Sequence, residues 1–592
     1  MKMIRRISAL TLAGLLILTL TGCAELKTSW EQANFDTFIS DQVTDTLESS
    51  YLAARTYLST PEDVDPEAYN LGLRFSQEEM DTQREGLREL ADRFGSFGRG
   101  LLTAEQQDLY DMFAYQLDLA IRLSDEKFDY YAPLFESMSG LHYQLASLFS
   151  DWEMRDRADA EALVSILRDV DPYIGSALAY TREQASRGLL MTDLDAVASY
   201  CVGIVEQGMD SSILAAMHAS ADALEADAQL KEDLKTRLTQ AFRDSFLPAY
   251  QAICDTMAEL KSAGSNNTGG LASLPYGREY YELLLMQSAG ANTSVEAVRT
   301  MMKEAYDGHL EALRQSIVEH PAVIEPLLTG SLPETGYTSY EEILEHLKGD
   351  IAADFPEVAN LNYEIRAIQE EVASDSGVAA YFNIPPLDGD PVQQLRVNPN
   401  TGEIGSISTY STVAHEGFPG HMYQYAYMYQ NIASDYVKVV ASVPAYTEGF
   451  AVYAQYESLA YLEGIDPALM EVYRENELVS YCAIILCDIG IHYDGWSLQE
   501  FTDYLNGIGF ALEGEAAAVQ YNQLWANPCA FEPYYVGYET FAALREQAEE
   551  ALGDSFDAKS FHQALLQSGT APFFLVERNV QVYIDSARTP AA

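Results

Sequence analysis

The sequence predicts a mainly α-helical protein with one small β-sheet, on three observations. Apolar residues recur at helical spacing through most of the chain, as within 163–170, which places them on one face of a helix. Proline is nearly absent between residues 66 and 248, as long helices require, because an interior proline removes a hydrogen bond and clashes with the preceding turn. Segment 381–409 differs, with β-branched runs separated by turn signals. We therefore expect a large all-helical body and a small sheet formed by this segment.

Two short strands are predicted within that segment, over residues 395–397 and 404–409. An edge strand at this position could hold an extended peptide through main-chain hydrogen bonds. A hairpin that only supports the fold would produce the same sequence pattern. Both interpretations stay open on the sequence alone.

The N-terminus has the features of a bacterial lipoprotein signal. A short basic region precedes an apolar run over residues 10–20, which is too short to span a bilayer. The run ends in Leu20-Thr21-Gly22-Cys23, a string that resembles the bacterial lipoprotein box. We predict a signal peptide over 1–22, a lipid anchor at Cys23, a linker over 23–40 and a location on the outer face of a bacterial membrane. A transmembrane anchor or a chance cysteine are the alternatives.

The charge balance is strongly acidic and excludes one class of partner. The 592 residues carry 90 acidic and 35 basic side chains, a formal net charge of -55. Such a surface repels phosphate backbones, so we expect no nucleic-acid partner. The cysteines after Cys23 are odd in number and widely scattered, so no disulfide framework is predicted.

One heptapeptide carries the strongest chemical signal. His415-Glu416-Gly417-Phe418-Pro419-Gly420-His421 combines two imidazoles, which suit Zn²⁺, with a carboxylate that can activate water. The usual metallopeptidase spacing puts the two histidines four residues apart on one helical face, whereas six residues correspond to about 240° of rotation. Both imidazoles can face one metal only if the helix is interrupted, and Pro419-Gly420 supplies a cause. Spacing alone leaves open an interrupted zinc helix or a coincidence.

Two later motifs favour the metal interpretation. Glu448, in a second helical segment, supplies the acidic residue that a two-His-one-Glu site requires. Asp488 and His492 stand four residues apart on one helical face. The Asp488 carboxylate could orient a ligand imidazole by accepting a hydrogen bond from the ring nitrogen that does not bind the metal. Taken alone, each feature is more often a solvated glutamate or a surface pair. Their order within one C-terminal segment makes coincidence a weaker explanation.

The polar segment 262–270 separates two predicted regions. Its serine, asparagine and glycine residues are typical of a boundary loop. We expect a helical N-terminal region over 41–262 and a catalytic region over 271–592. The two regions can still pack as one body.

The motifs resemble those of a large bacterial family, domain of unknown function 885, whose members are regarded as gluzincin-like metallopeptidases. The matching strings are HEGFPGH at 415–421, EGFAVYA at 448–454 and DIGIHYDGW at 488–496. Strings at 274–281 and 556–572 also match, so the resemblance extends over most of the mature chain. It implies a gluzincin-like fold, with the small sheet beside the zinc-site helices.

The resemblance also implies roles, carried over position by position. The implied ligands of one Zn²⁺ per chain are His415, His421 and Glu448. Glu416 would be the general base that deprotonates a zinc-activated water. His492 and Tyr534 are candidate hydrogen-bond donors to the oxyanion of the reaction. The family's Pro-Gly-Gln-Ala string reads Pro528-Cys529-Ala530-Phe531 here, a departure that bears on substrate contacts and on Tyr534 rather than on the metal ligands.

The implied function is that of a membrane-anchored, extracytoplasmic zinc metallopeptidase with a peptide substrate. Two alternatives remain: a zinc hydrolase of non-peptide amides or esters, and a non-catalytic lipoprotein that binds peptides or solutes. The motifs do not separate peptides from other substrates, because the same residues would activate water for both. An extended cleft beside an edge strand would favour peptides, and a small closed cavity would favour other substrates.

Overall fold

The structure is a computed structural model that describes residues 4–61, 64–373, 379–388, 392–400 and 402–588. The side chains before residue 27 and those of residues 370 and 371 are outside the described part. The side chains of the predicted signal peptide and of Cys23, the predicted lipid attachment, therefore lie outside the described part. Within the part of the chain that was described, no helix combines the length and the apolar character needed to cross a membrane.

The predicted fold class, a mainly helical chain with a small sheet, is confirmed. The helices of the first half are α1 (Ile4–Ser49), α2 (Tyr51–Tyr57), α3 (Gln77–Phe94), α4 (Ala104–Leu123), α5 (Leu141–Ser150), α6 (Arg157–Arg168), α7 (Val170–Ser186), α8 (Leu194–Gln207), α9 (Ser212–Ala223), α10 (Ala228–Ala241), α11 (Leu247–Ala263), α12 (Gly277–Ser288) and α13 (Val295–Glu319). Those of the second half are α14 (Ile324–Thr329), α15 (Tyr340–Asp350), α16 (Glu370–Ala373), α17 (Ile407–Glu416), α18 (His421–Asn431), α19 (Asp435–Val439), α20 (Pro444–Ser458), α21 (Pro467–Ile489), α22 (Leu498–Gly507), α23 (Gly514–Ala526), α24 (Glu532–Leu552), α25 (Ala558–Leu566) and α26 (Phe573–Arg588).

Polar side chains define where many of these helices begin. At the start of α4, the Thr103 hydroxyl accepts a hydrogen bond from the N–H of Gln106 at 3.2 Å. The side-chain oxygen of Gln106 accepts one from the N–H of Thr103 at 3.1 Å. This capping box satisfies two backbone donors that the first turn of a helix leaves without a partner.

The sheet has three strands, β1 (Tyr363–Ala367), β2 (Ala380–Asn383) and β3 (Gln393–Val397), in the order β1-β3-β2. Strand β1 pairs with β3 in parallel, and β2 pairs with β3 in antiparallel fashion, with Phe382 opposite Leu395. The strand predicted over 395–397 is confirmed as part of β3. Strand β2 is an edge strand, and it lies against α17.

The second strand prediction, over 404–409, is wrong, because these residues lead into helix α17. The Ser406 hydroxyl caps that helix by accepting the N–H of Thr409 at 3.0 Å. From there, the buried apolar residues recur at helical spacing, at Ile407, Tyr410, Val413 and Ala414. β-Branched residues favour strands only weakly, and burial of a complete helical face outweighs that preference.

The buried side chains form two hydrophobic cores. One is built mainly from residues 51–260 and also includes Ile368, Val372 and Ala373 beside the sheet. The other combines the C-terminal helices with apolar residues of α1, α3 and α4. The predicted N-terminal region thus contributes to both cores, and its separation from the C-terminal region remains a proposal.

Candidate metal centre

The spacing of the two histidines predicts a break in the helix between them. The heptapeptide 415–421 is interrupted in the structure, in agreement with that prediction. Helix α17 ends at Glu416 and α18 begins at His421, with non-helical backbone between them. Gly420 permits the chain to fold back on itself, since a Cβ atom there would lie 1.8 Å from the carbonyl oxygen of His415. The interruption turns the two imidazoles toward each other, with ring centroids 4.9 Å apart.

Glu448 completes a cluster of metal-ligating groups. Its Oε2 atom lies 3.5 Å from Nε2 of His415 and 3.4 Å from Nε2 of His421. One ligand atom from each of the three residues falls within a 4.8 Å span. Both imidazoles are buried, and Glu448 enters from α20 as a half-buried carboxylate. Two imidazole nitrogens and a carboxylate are the donor set of many catalytic zinc sites, so these residues fit Zn²⁺.

The electrostatics of the cluster are those of a cation site. Burial alone would lower the pKa of His421, but the carboxylates of Glu448 and Glu416 outweigh it and raise that pKa to about 9. Burial disfavours the ionised form of Glu448, yet the two imidazoles hold its pKa well below the usual range. The cluster thus stabilises positive charge at His421, where a divalent cation would replace the proton.

Glu416 lies next to these groups and is anchored to the sheet. Its Oε2 accepts a hydrogen bond from the backbone N–H of Phe382 at 3.0 Å, and its Oε1 is 3.9 Å from Nε2 of His415. Burial raises the pKa of Glu416, although the neighbouring imidazoles oppose that effect. A carboxylate with a raised pKa beside a cation site is suited to accept and return a proton.

Tyr534 lies beside the His415 ring. Its ring is nearly parallel to the imidazole, at 20°, with centroids 6.2 Å apart. Burial and the negative charges of Glu448 and Glu416 raise the pKa of Tyr534. Its hydroxyl therefore keeps its proton at neutral pH and can donate a hydrogen bond.

A close helix contact brings Glu448 and Tyr534 together. Helices α20 and α24 meet at Gly449 and Gly537, where a Cβ on Gly449 would lie 2.5 Å from the Cα of Gly537. Sequence reasoning missed this contact, although both glycines stand within three residues of a predicted site residue. Glycine is needed at both positions because any side chain would push the helices apart.

We expect Gly537→Ala to destabilise the protein by about 1–3 kcal/mol, a typical cost of overpacking. The added methyl group would lie 2.3 Å from the carbonyl oxygen of Ala445, so α24 would have to shift and carry Tyr534 with it. Denaturant unfolding measures the effect. The matched control is Gly203→Ala in α8, where the added carbon meets nothing within 4 Å. Equal stability of the two variants would contradict the proposed contact.

His492 does not fit the predicted role of oxyanion donor. It is fully buried, its Nδ1 accepts the N–H of Leu271 at 3.2 Å, and its Nε2 donates to the carbonyl oxygen of Leu524 at 3.1 Å. Burial lowers the pKa of His492, so the ring is neutral. Both nitrogens are occupied by backbone groups, which leaves none to face a substrate.

Asp488 does not face the ligand imidazoles either. Its carboxylate accepts hydrogen bonds from the Tyr281 hydroxyl at 2.7 Å and from the N–H of Cys529 at 3.3 Å and 3.4 Å. The predicted role, orienting a ligand of the His415 cluster, does not match this placement. The spacing of Asp488 and His492 correctly indicated one helical face, but that face packs against other elements.

The fold and the cluster define a mainly helical protein with a His–His–Glu group of the kind that can hold a metal ion. The chain belongs to the family described as "Bacterial protein of unknown function (DUF885)", which matches residues 66–580. No curated protein matches the sequence. Two solved structures share the fold, and both are described as candidate lipoproteins.

The first of these structures, from Colwellia psychrerythraea, has a TM-score of 0.77 at 17% identity, and the match covers 94% of this chain and 99% of that one. The second, from Shewanella oneidensis, has a TM-score of 0.60 at 15% identity, with 92% and 98% covered. At such identities the similarity shows the fold alone.

Proposed function

We propose that the protein is a zinc-dependent peptidase that is tethered outside the cytoplasm through a lipid on Cys23. The observation that carries this proposal is the placement of Glu416, which lies between the His415, His421 and Glu448 cluster and the edge of strand β2. The fold shared with two candidate lipoproteins supports the lipid anchor.

A zinc ion held by the three ligands would act as a Lewis acid toward the scissile carbonyl and lower the pKa of the attacking water. Glu416 would take a proton from that water and pass it to the leaving amine. Tyr534 would donate a hydrogen bond to the carbonyl oxygen as negative charge develops there. The two groups come from different elements, Glu416 from the end of α17 beside the sheet and Tyr534 from α24.

Strand β2 supports a peptide as the substrate. The backbone N–H of Phe382 bonds to Glu416 and not to β3. Strand β2 stands at the end of the strand order, so its outer edge has no strand partner among the described residues. A cavity of about 600 Å³ is lined by residues 381–386, which include most of strand β2. A peptide chain could add to such an edge through main-chain hydrogen bonds.

The walls of that cavity come from both predicted regions. Arg55 and Asp151 of the N-terminal region line it together with strand β2, and the Tyr381 hydroxyl bonds to the Asp151 carboxylate. We therefore propose that region 271–592 performs the chemistry and that region 41–262 forms the opposite wall of the substrate cleft.

The test is digestion of a diverse peptide mixture by the zinc-loaded protein, with products sequenced by mass spectrometry. We expect new peptide termini with the wild-type protein and none with Glu416→Gln at equal zinc content. Ester and non-peptide amide substrates are assayed in parallel. Hydrolysis of those compounds without any peptide cleavage would favour the alternative hydrolase, and absence of all turnover would favour a binding protein.

A further inference from the structure

A second group of metal-ligating side chains lies in the protein interior, apart from the His415 cluster. Asp488 comes from the end of α21, Glu532 is the first residue of α24, and Cys529 lies in the turn between α23 and α24. Their relative exposures are 1%, 0% and 5%, in that order. One ligand atom from each falls within a 4.8 Å span.

Glu532 has no positively charged partner among the described residues that would offset the cost of its burial. Both of its carboxylate oxygens are buried and accept no hydrogen bond of normal geometry from the described residues, although the Asp488 carboxyl group and the backbone N–H groups of Phe531 and Glu532 lie near them. Burying a carboxyl group in this way is costly unless it is paired or coordinates a metal. Burial and the nearby Asp488 carboxylate raise the pKa of Glu532 well above its usual range.

No positive side chain compensates these acidic groups within the described part of the chain. Asp488 receives hydrogen bonds from Tyr281 and from the N–H of Cys529, and its one imidazole neighbour is the neutral His492, at 3.6 Å. Neither Asp488 nor Glu532 forms an ion pair with lysine or arginine among the residues described. This cluster therefore has acidic ligands and no neighbouring lysine or arginine among the described residues.

The cluster of His309, Cys482 and Glu539 provides a contrast. Its imidazole donates to Glu475 and Glu539, at 2.6 Å and 2.9 Å. Burial alone would lower the pKa of His309, but the two glutamates outweigh it and raise that pKa to about 9. That cluster contains its own cation, and its acceptors are satisfied.

The backbone at Cys529 has an unusual conformation. Its φ is +60°, a left-handed conformation that glycine adopts readily and that other residues rarely adopt. A thiol-bearing residue is nevertheless placed there, with its sulfur beside two carboxyl groups.

We propose that Asp488, Cys529 and Glu532 bind a second divalent metal ion, separate from the one at His415. A thiolate combined with carboxylates favours zinc over magnesium or calcium, which prefer oxygen ligands alone. Binding would release the thiol proton of Cys529 and the proton held by Glu532. The ion would supply the missing positive charge, and its full burial would keep substrates away from it.

This second site would fix the beginning of helix α24. Glu532 lies two residues before Tyr534, so an ion bridging it to Asp488 would tie α24 to the end of α21. Tyr534 would thereby be held at its distance from His415. Metal binding at this site does not depend on the proposed peptidase activity.

Cobalt substitution separates the two sites, because only the second one contains sulfur. The full chain is solubilised in detergent after production with Co²⁺ in place of Zn²⁺. We expect a sulfur-to-cobalt charge-transfer band in the near ultraviolet. The band should remain in His415→Ala and in Cys482→Ser, which removes another buried thiol, and it should disappear in Cys529→Gly.

Cys529→Gly is suited to this test because glycine adopts a positive φ without strain, so the variant should fold. Zinc content of the zinc-grown protein gives a second measurement. We expect a loss of about one equivalent in Cys529→Gly and in Glu532→Gln. Absence of the band in the wild-type protein, or unchanged zinc in both variants, would overturn the proposal and indicate a proton shared by Asp488 and Glu532.

Discussion

Glu416→Gln is expected to lose nearly all turnover while it keeps its zinc and its fold. The substitution preserves the size of the side chain and removes only its ability to accept a proton. General acid–base catalysis typically contributes about 10²–10⁴-fold in rate, and we expect a loss of this order in kcat/KM on a peptide identified by the digestion experiment. Metal affinity should hardly change, because the three proposed ligands are other residues.

The control for this prediction is Glu463→Gln, which makes the same chemical change at an exposed position. Zinc content and unfolding midpoint are measured for both variants beside their kinetics. Wild-type activity in Glu416→Gln would show that Glu416 is not the general base. Loss of zinc in that variant would instead make Glu416 a ligand.

His415→Ala should reduce the zinc content by about one equivalent, since a site with three protein ligands rarely holds its ion with two. The remaining groups, His421 and Glu448, would keep their mutual ion pair, at 3.4 Å. The fold should therefore survive while activity is abolished. Elemental analysis after dialysis against a weak chelator measures the loss.

The matched control is His320→Ala, which removes an exposed imidazole far along the sequence from the cluster. It should retain the full wild-type zinc content. Full retention in His415→Ala as well would refute the assignment of His415 as a ligand. Because the second proposed site contains no histidine, its ion should remain in both variants.

Much of the fold could be predicted from residue patterns. The wrong prediction, a strand over residues 404–409, has an identifiable cause. Helical periodicity and the scarcity of proline correctly indicated a mainly helical chain. The run over 404–409 misled because its β-branched residues suggest a strand. Ser406 and the buried face beginning at Ile407 make a helix of it instead. Local preference for a strand is weak beside the burial of several apolar side chains.

The sequence indicated the residues of the candidate centre, but it indicated only part of their arrangement in space. Sequence spacing indicated that a helix carrying His415 and His421 must be interrupted, and the break between α17 and α18 agrees with that prediction. The pattern of Asp488 and His492 indicated a shared helical face but not what that face contacts. Sequence periodicity identifies which residues share a helical face. The residues that this face contacts depend on how helices distant in sequence pack together.

The sequence by itself determined the residue types available for chemistry and the local breaks that position them, because both depend on neighbours along the chain. Tertiary structure decided which residues meet. Glu448 reaches the imidazoles, and Tyr534 stacks on His415, because α20 and α24 approach closely at Gly449 and Gly537. Such contacts join positions far apart in sequence. They are selected by the fit of whole surfaces, which no local pattern specifies.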